Sequence, residues 1–397
     1  MKQKRLLLLG GSAQQCVAID KAREMGLYTV LCDYLPDNPG QHLAHRFYQE
    51  STTDVEAVCR IAQEEQVDGI LAYASDPAAL PAAIACERLG LPTNPSQSVA
   101  TLGVKHLFRQ FLADHGFPCP RHLSFPADTT PDLSSLRFPL VVKPTDSSGS
   151  KGVSMLTSPD QLPPALEHAR AYSRNRILIA EEFIEQGYPH IIGGDIFVVD
   201  GQIRLYGLMS CLRTSQGRGL IPIGEMHPSG LNSRQTEAIH TELQHLIASL
   251  GIRMGELNVE VIIDRDDRPH FLELGPRAGG NMIPIQLSDI YGLDLVRANI
   301  QAALGQRPDL SPRTPEGCHM HYVLHSHRPG HFRGITVDPW LKPSLYRQCL
   351  YKREGDPVEP FDGAGKALGI LFLRFPTPEA MHHFCQHHNE LIQIELQ

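Results

Sequence analysis

The sequence predicts an α/β fold for the N-terminal quarter of the chain and an α+β fold for the remainder. Residues 1–95 alternate between apolar, strand-like runs and helix-like segments, which is typical of a parallel, doubly wound sheet. From about residue 120, β-branched and alternating runs predominate, which indicates antiparallel sheets. Pro-rich stretches near residue 95 and beyond residue 310 mark the changes of pattern. The chain is therefore predicted to contain several subdomains.

The N-terminal region is predicted to contain three strands and three helices. The strands are RLLLLGG, YTVLCD and DGILAYA, and the helices extend over Gln14 to Met25, Asp54 to Glu65 and Pro77 to Leu89. Gly10 and Gly11 end the first strand and Asp33 ends the second, as in a dinucleotide-binding fingerprint. The third glycine of that fingerprint is missing. A tight turn on the sheet, or a pocket for a non-nucleotide substrate, is therefore favoured over NAD binding.

The middle of the chain is predicted to form a linker helix and a small α+β lid. The helix carries Lys105 and follows the Pro-rich LPTNPS segment. The lid combines the strand that ends at Lys143, a helix from Pro159 to Tyr172 and the strand ILIAEEFI. These elements predict a compact unit that ends near Phe183.

A second antiparallel sheet and a terminal module are predicted to follow. The sheet contains the strands DIFVVDG, QIRLYGLMS, ELNVEVIID and HFLELG, with a helix from Ser233 to Leu250 between them. The module begins beyond about residue 310 and ends with a helix from Pro378.

Composition excludes several classes of protein. With 397 residues, 42% hydrophobic and 20% charged, the chain has ordinary globular composition. A formal charge of -8 without a long Lys/Arg run argues against nucleic acid or an anionic membrane as the main partner. The apolar N-terminal run is too short for a signal peptide, and eighteen apolar residues nowhere run together. Nine cysteines without a C-x-x-C pair fit reduced thiols, so we expect a cytoplasmic protein.

Two segments 130 residues apart are predicted to form one phosphate and metal site. In LVVKPTDSSGSKGV, a buried strand delivers Lys143 to its end, and a loop from Ser147 to Gly152 follows. Glycines allow backbone N–H groups to approach phosphate oxygens, and the serines and Lys151 add hydroxyl donors and a cation. In FLELGPRAGGN, alternation places Glu273 on a strand near Arg277, and carboxylate oxygen is what a hard cation requires.

The order of these parts resembles the ATP-grasp superfamily of carboxylate–amine and carboxylate–thiol ligases. The resemblance covers most of the chain and is most specific over residues 100 to 300. It implies an ATP-grasp fold with a Rossmann-like pre-ATP-grasp domain, a lid and a C-terminal antiparallel-sheet domain. The implied boundaries are 1–95 for the first domain, 96–119 for the linker helix, 120–184 for the lid, 185–310 for the catalytic subdomain and 311–397 for the C-terminal module.

The resemblance implies a set of nucleotide-binding residues. Lys105 and Lys143 match the family's two phosphate-binding lysines. The loop that would fold over the phosphates comprises Ser147, Ser148, Gly149, Ser150, Lys151 and Gly152. A hinge for adenine is implied over Glu181, Glu182, Phe183 and Ile184, with a carboxylate at the first position receiving the exocyclic amine and backbone groups acting at the second and fourth.

The resemblance also implies a metal site and a catalytic arginine. Glu260 and Glu273 match the carboxylates that bridge two Mg²⁺ (or Mn²⁺) ions, and Arg277 matches the arginine beside the reacting phosphoryl group. Gly275 replaces the family's usual Asn, so a second metal would need another ligand, such as Asn281 or water. No carboxylate follows the hinge in the place of the family's ribose-binding Glu, which leaves the ribose partner open, with His190 as one candidate.

The favoured function is an ATP-dependent ligase that activates a small-molecule carboxylate as an acyl phosphate and joins it to an amine. The alternatives are a bicarbonate-dependent carboxylase of the purine or biotin type, a nucleotide-binding protein without turnover, and a dehydrogenase. Family habit suggests a homodimer. On one uninterrupted strand His319, His321, His325 and His327 would share a face, which fits a transition-metal site or, more commonly, a hydrated face or subunit contact.

Overall fold

A computed structural model of the chain describes residues 3–147, 149, 151–214 and 221–397. The N-terminal part forms the predicted parallel sheet, with strand order β3-β2-β1-β4. Its strands are β1 (Arg5–Leu9), β2 (Tyr28–Asp33), β3 (Arg46–Gln49) and β4 (Gly69–Leu71), and its helices are α1 (Cys16–Glu24), α2 (Val55–Glu64) and α3 (Asp76–Leu89).

Strand β1 is apolar at every position after Arg5 because both faces of the sheet are covered. Leu7 and Leu9 pack with residues of α2 and α3. Leu6 and Leu8 pack against α1 and against a helix from the central part of the chain, which brings the two parts into contact. Such two-sided burial is the usual environment of a parallel strand. The strand β3, by contrast, was not predicted, since RFYQ lies at the edge and is only partly buried.

Two helices and the lid come next. The helices are α4 (Ser96–Gly103) and α5 (Lys105–Asp114). The lid is an antiparallel sheet of order β5-β8-β6-β7 covered by one helix. Its elements are β5 (His122–Pro126), β6 (Leu140–Pro144), β7 (Ser154–Leu156), α6 (Leu162–Arg170) and β8 (Ile177–Glu182). The predicted lid helix begins later than expected, because Pro159–Gln161 form a 3-10 turn ahead of α6.

Among the described residues, the central sheet has eight antiparallel strands in the order β13-β12-β9-β10-β11-β14-β18-β16. Its elements up to residue 303 are β9 (Ile192–Val199), β10 (Gln202–Arg213), β11 (Pro222–His227), α7 (Ser233–Ser249), β12 (Met254–Ile263), β13 (Pro269–Gly275), α8 (Ile283–Tyr291) and α9 (Leu295–Ala303). Helix α7 covers one face, and α8 and α9 cover the other. Asn232 and Gln235 form a capping box that starts α7.

The C-terminal segment extends this same sheet. Strands β14, β16 and β18 continue it beyond β11, while a small sheet of order β17-β15-β19 and helix α10 pack on its outer end. The segment comprises β14 (Cys318–Leu324), β15 (Gly330–Val337), β16 (Leu345–Leu350), β17 (Pro357–Val358), β18 (Gly369–Phe375), α10 (Pro378–Leu391) and β19 (Ile392–Leu396). The mixture of a parallel sheet and antiparallel sheets confirms the predicted fold class. The domain boundaries themselves stay predictions.

The histidine-rich stretch is not one strand. Strand β14 ends at Leu324, so His325 and His327 lie beyond it, and the premise of a shared strand face is wrong. His321 contacts Gln286, and His319 contacts the backbone oxygen of Glu316. Within the described ranges, no group of three or more potential metal-ligating side chains comes together. In the same ranges, no helix is long and apolar enough to cross a membrane.

Candidate functional site

A cavity of about 560 Å³ lies between the lid sheet and the central sheet. A volume of this size suits a small-molecule ligand. The lid contributes Lys143 and the loop after it, the hinge contributes Glu181 to Ile184, and the central sheet contributes Glu260 and Glu273. The structure therefore brings Lys143 and its loop together with Glu260 and Glu273, whereas Arg277 lines a separate cavity.

Lys143 projects from β6 into a buried cluster of charges. Its Nζ lies 2.6 Å from Glu181 Oε2, and the Nε of Arg109 lies 2.8 Å from Glu181 Oε1. Burial alone would raise the pKa of Glu181, but the Arg109 guanidinium and the Lys143 ammonium outweigh it and lower the pKa to about 2. Burial, with Arg109 nearby, lowers the pKa of Lys143. Two cations share one carboxylate, so the cluster carries a net positive charge beside the cavity.

Arg109 is a residue that the sequence analysis missed. It lies on α5 and is fully buried, and its guanidinium donates to the carbonyl oxygens of Phe271 and Leu272 at 3.1 and 3.0 Å. Arg109 thus joins the linker helix to the lid through Glu181 and to the edge strand β13. The sequence does contain a signal, because Arg109 is a basic residue within the otherwise largely apolar run LFRQFL. A charged residue in such a run is seldom buried without a partner, so the pattern indicates a buried ion pair.

Lys105 connects the loop to the floor of the cavity. As the first residue of α5, it donates from its backbone N–H to Thr145 O at 2.8 Å. Its Nζ donates to Ser147 O at 2.7 Å and lies 3.2 Å from Glu273 Oε2. Lys105 therefore holds the start of the lid loop close to a carboxylate of the central sheet.

The lid loop presents Ser147, Gly149 and Lys151 to the cavity. Gly149 and Gly152 have positive φ angles of 66° and 76°, a conformation in which a side chain is strained. Open space surrounds the position of a Cβ at Gly149. Ser148 and Ser150, which were predicted to bind phosphate, lie outside the described residues.

The hinge lies at the end of β8. Glu181 is predicted from the family resemblance to accept the amine of adenine, but both of its carboxylate oxygens face buried cations. The N–H groups of Glu182 and Phe183 donate to Arg121 O and Pro139 O, both at 2.9 Å. No described residue accepts a hydrogen bond from the Ile184 N–H, which leaves that donor available to a ligand.

Glu260 and Glu273 lie directly opposite each other on β12 and β13. Opposed residues of antiparallel strands point to the same face, so both carboxylates enter the cavity. About a third of each side chain is exposed, with 34% for Glu260 and 32% for Glu273. Lys105 and Arg213 balance these charges, with Arg213 Nη2 at 3.3 Å from Glu260 Oε2. Two accessible carboxylates with cationic neighbours fit the oxygen ligands that Mg²⁺ or Mn²⁺ requires.

Arg277 is held by a residue of the N-terminal domain. Its Nε and Nη2 donate to the two carboxylate oxygens of Asp76, both at 2.7 Å, and its Nη1 donates to Ala278 O at 2.9 Å. Burial would lower the pKa of Arg277, but the charge of Asp76 more than offsets this effect and raises it. A Cβ at Gly275 would lie 3.2 Å from both Arg277 Cζ and Asp76 Oδ1. Position 275 is Gly where the family usually has Asn, and the absence of a side chain there leaves room for the ion pair between Arg277 and Asp76.

Asn281 and the N-terminal turn are connected in a similar way. The Asn281 backbone N–H donates to Gln14 Oε1 at 3.0 Å. In the adjacent GGSAQQ turn, the Gln15 side chain bonds to Ser12 and Tyr73 and occupies the space beside Gly10. Asp33 accepts a hydrogen bond from the Gly11 N–H at 2.7 Å. These contacts favour the tight-turn interpretation of the segment over a dinucleotide site.

Asp76 and Arg213 were also missed by the sequence analysis. Arg213 carries a detectable signal, because it is a charge at the end of the apolar run GLMSCL. Asp76 carries none, since an acidic first residue is common in helices whatever their function. Other apolar residues of the cavity lining were missed as well, and they include Val141, Ile262 and Leu272. His190 lies in the same lining.

The chain is similar to several known proteins. Residues 103–281 match the family described as ATP-grasp domain. The chain is 24% identical over 361 residues to carnosine synthase 1 of Homo sapiens, a match that covers 82% of this chain and 42% of that protein. It therefore spans less than half the length of that relative. A formate-dependent phosphoribosylglycinamide formyltransferase of Bacteroides thetaiotaomicron is 25% identical over 327 residues, which covers 76% of this chain and 77% of that protein.

Among solved structures, L-amino acid ligase from Bacillus licheniformis superposes with a TM-score of 0.82 at 20% sequence identity and covers 100% of both chains. At this level of identity the likeness concerns the fold. The family match covers the segment that contains Lys105, Lys143, Glu260, Glu273 and Arg277. Residues 103–281 thus match an ATP-grasp domain, and the chain over its whole length has the fold of that ligase structure.

Proposed function

We propose that the chain is an ATP-dependent ligase that activates a small-molecule carboxylate as an acyl phosphate and joins it to an amine, with release of ADP and phosphate. One observation carries this proposal. Two lysines and a glycine-containing loop from one side, and two carboxylates from the other, converge on a cavity of about 560 Å³. Cations and backbone donors suit a triphosphate, and carboxylates suit its metal ion.

Adenine would lie at the hinge end of the cavity. The Ile184 N–H, which bonds to no described residue, and the backbone carbonyl of Glu182 would offer a donor and an acceptor to the edge of the base. Val141 from the lid and Leu272 from the floor line the same space and would contact its two faces. In this arrangement Glu181 acts mainly through Lys143, whose ammonium it holds at the cavity wall.

The triphosphate would lie between the lid loop and the floor. Lys143 keeps a net positive charge beside it, since Arg109 shares the neutralising carboxylate of Glu181. Glu260 and Glu273 would hold Mg²⁺ or Mn²⁺, which neutralises phosphate charge when bound. Lys105, now near Glu273, could then contact a phosphate oxygen instead, while it continues to hold Ser147 of the loop.

The chemistry needs no nucleophilic side chain. A carboxylate oxygen of the substrate attacks the γ-phosphorus, and the bond from that phosphorus to the leaving ADP oxygen breaks. An amine then attacks the acyl carbon, phosphate leaves with the electrons of the C–O bond, and the amine loses a proton to solvent. Arg277 would offset charge on the reacting groups, and the closed loop would exclude water from the acyl phosphate.

The test is the release of ADP and phosphate over a panel of carboxylic acids, bicarbonate included, each with and without candidate amines. We expect turnover that needs both an acid and an amine and that Glu273→Gln abolishes, because the metal loses a ligand. Asp266→Asn, on the exposed turn between β12 and β13, is the matched control and should leave turnover unchanged. Tight ATP binding without ADP formation on any acid would contradict the proposal, and turnover with bicarbonate alone would support the carboxylase alternative.

A further inference from the structure

Glu225 is a buried carboxyl group beside the proposed reaction site. It lies on β11 and is only 6% exposed. Its side chain reaches across β10 to β9, where a Cβ at Gly193 would lie 3.0 and 3.1 Å from its two carboxylate oxygens. Any other residue at position 193 would displace the carboxyl group. The absence of a side chain at Gly193 therefore creates the space that Glu225 occupies.

This carboxyl group lies behind the wall of the cavity, on the same side of the sheet as Glu260. Cys211, its cross-strand partner in β10, lines the cavity together with Arg213 and Glu260. The Arg213 guanidinium donates to Glu260 at 3.3 Å. Within the described part of the chain, Oε2 of Glu225 accepts no hydrogen bond. Burial, and then the charge of Glu260, raise the pKa of Glu225 to about 8.

The charge of Arg213 acts on this buried carboxyl group and lowers its pKa, but the Arg213 guanidinium is paired with Glu260, so the two carboxyl groups share one cation. Leaving such a group unpaired is costly, and a ligand that brings a cation removes the cost. In the adjoining cavity, Glu260 and Glu273 are proposed to bind the metal ion, and Lys105 and Lys143 the phosphates. The ligand group that would complement the carboxylate of Glu225 is therefore a small organic cation. An ammonium is the natural candidate, because it offers three donors in little space.

We infer that Glu225 recognises the ammonium group of the substrate whose carboxylate is activated, so that this substrate is an amino acid. The inference rests on the proposed function, since it names the substrate class of the same site. An amine that Glu225 holds in the protonated form has no lone pair and cannot act as the nucleophile. The ammonium group that contacts Glu225 therefore belongs to the substrate whose carboxylate is activated. The second substrate supplies the amine that attacks the acyl phosphate.

The test compares matched pairs of acids that differ in the amino group, such as L-alanine with propionate and L-phenylalanine with 3-phenylpropionate. We expect the wild type to prefer the amino acid of each pair in kcat/KM by about 100-fold or more, the scale of a buried charge pair. Glu225→Gln keeps the shape of the side chain and should remove most of that preference, while the KM for ATP stays unchanged. Gly193→Ala should weaken the preference by displacing the carboxyl group. Glu237→Gln, on the exposed face of α7, is the control.

The inference would be overturned if Glu225→Gln kept the preference for the amino acid, or if this variant lost turnover equally with both acids of a pair. Equal use of both acids by the wild type would also overturn it. If the wild type forms no ADP with any acid, the proposed function fails and the inference is decided by calorimetric binding of the same pairs. A preference for the amino acid that Glu225→Gln abolishes would then support it. Equal binding of both acids would refute it.

Discussion

Replacing Glu181 by Gln tests how much the buried charge cluster stabilises the fold. The substitution keeps the shape of the side chain but removes the carboxylate that Arg109 and Lys143 share, at 2.8 and 2.6 Å. The two cations lower the pKa of Glu181 from its ordinary value of 4.5 to about 2. A difference of about 2.5 pKa units corresponds to about 3 kcal/mol at neutral pH. Breaking a buried ion pair costs a similar amount, about 3–5 kcal/mol.

The pH dependence has a defined sign. Because the pKa is lower in the folded state, the stabilisation is fully present above 4.5 and is lost as the pH falls toward 2. The free energy of urea unfolding should therefore be about 3 kcal/mol lower in Glu181→Gln at pH 7, and the difference from the wild type should shrink as the pH falls below 4.5.

The neighbouring Glu182 provides the control. It pairs with the exposed arginines Arg121 and Arg137 at 3.8 and 3.1 Å, so Glu182→Gln should cost about 1 kcal/mol or less. A Glu181→Gln protein within about 1 kcal/mol of the wild type at pH 7 would refute the reasoning. So would a difference between the two proteins that stays constant from pH 7 to pH 3.

Substitutions at three further positions test the contacts around the cavity. Lys105→Met should lower the rate of ADP formation by about 100-fold, because it removes both a phosphate contact and the anchor of Ser147; Lys105→Arg should retain more of the rate. Asp76→Asn should lower kcat/KM for the acid by about 10-fold without changing the KM for ATP, since Arg277 loses its bidentate partner. Gly275→Asn should lower the free energy of unfolding by about 1–2 kcal/mol by crowding that ion pair, and equal thermal stability would contradict this expectation.

Local patterns in the sequence were enough to predict the positions of some cavity-lining residues. The strand before Lys143 and the glycines of its loop lie within about a dozen consecutive residues, so a local pattern is enough to predict both. Glu260 and Glu273 could also be paired, because a short turn joins their two strands and brings residues at this spacing opposite each other. In each case the relevant geometry is set by neighbours in the chain.

The remaining features depend on partners that lie far apart in the sequence. Arg277 and Asp76 are separated by 201 residues, and periodicity shows which face a residue occupies but not what it meets there. Arg109 and Glu181 could be recognised as unusual buried charges, but not as a pair. The addition of β14, β16 and β18 to the central sheet was missed for the same reason, since strand pairing between distant segments leaves no local signal.

The continuity of the central sheet restricts how this protein could be recombined with its relatives. At the junction of β11 and β14, Glu225 is the direct partner of His321, and Gln286 contacts both residues. A chimera that exchanged the C-terminal segment would have to reproduce this register, because a shift of one residue would turn His321 to the opposite face. Crossover points on either side of β14 would therefore alter the environment of Glu225, although most of the transplanted residues lie far from the cavity.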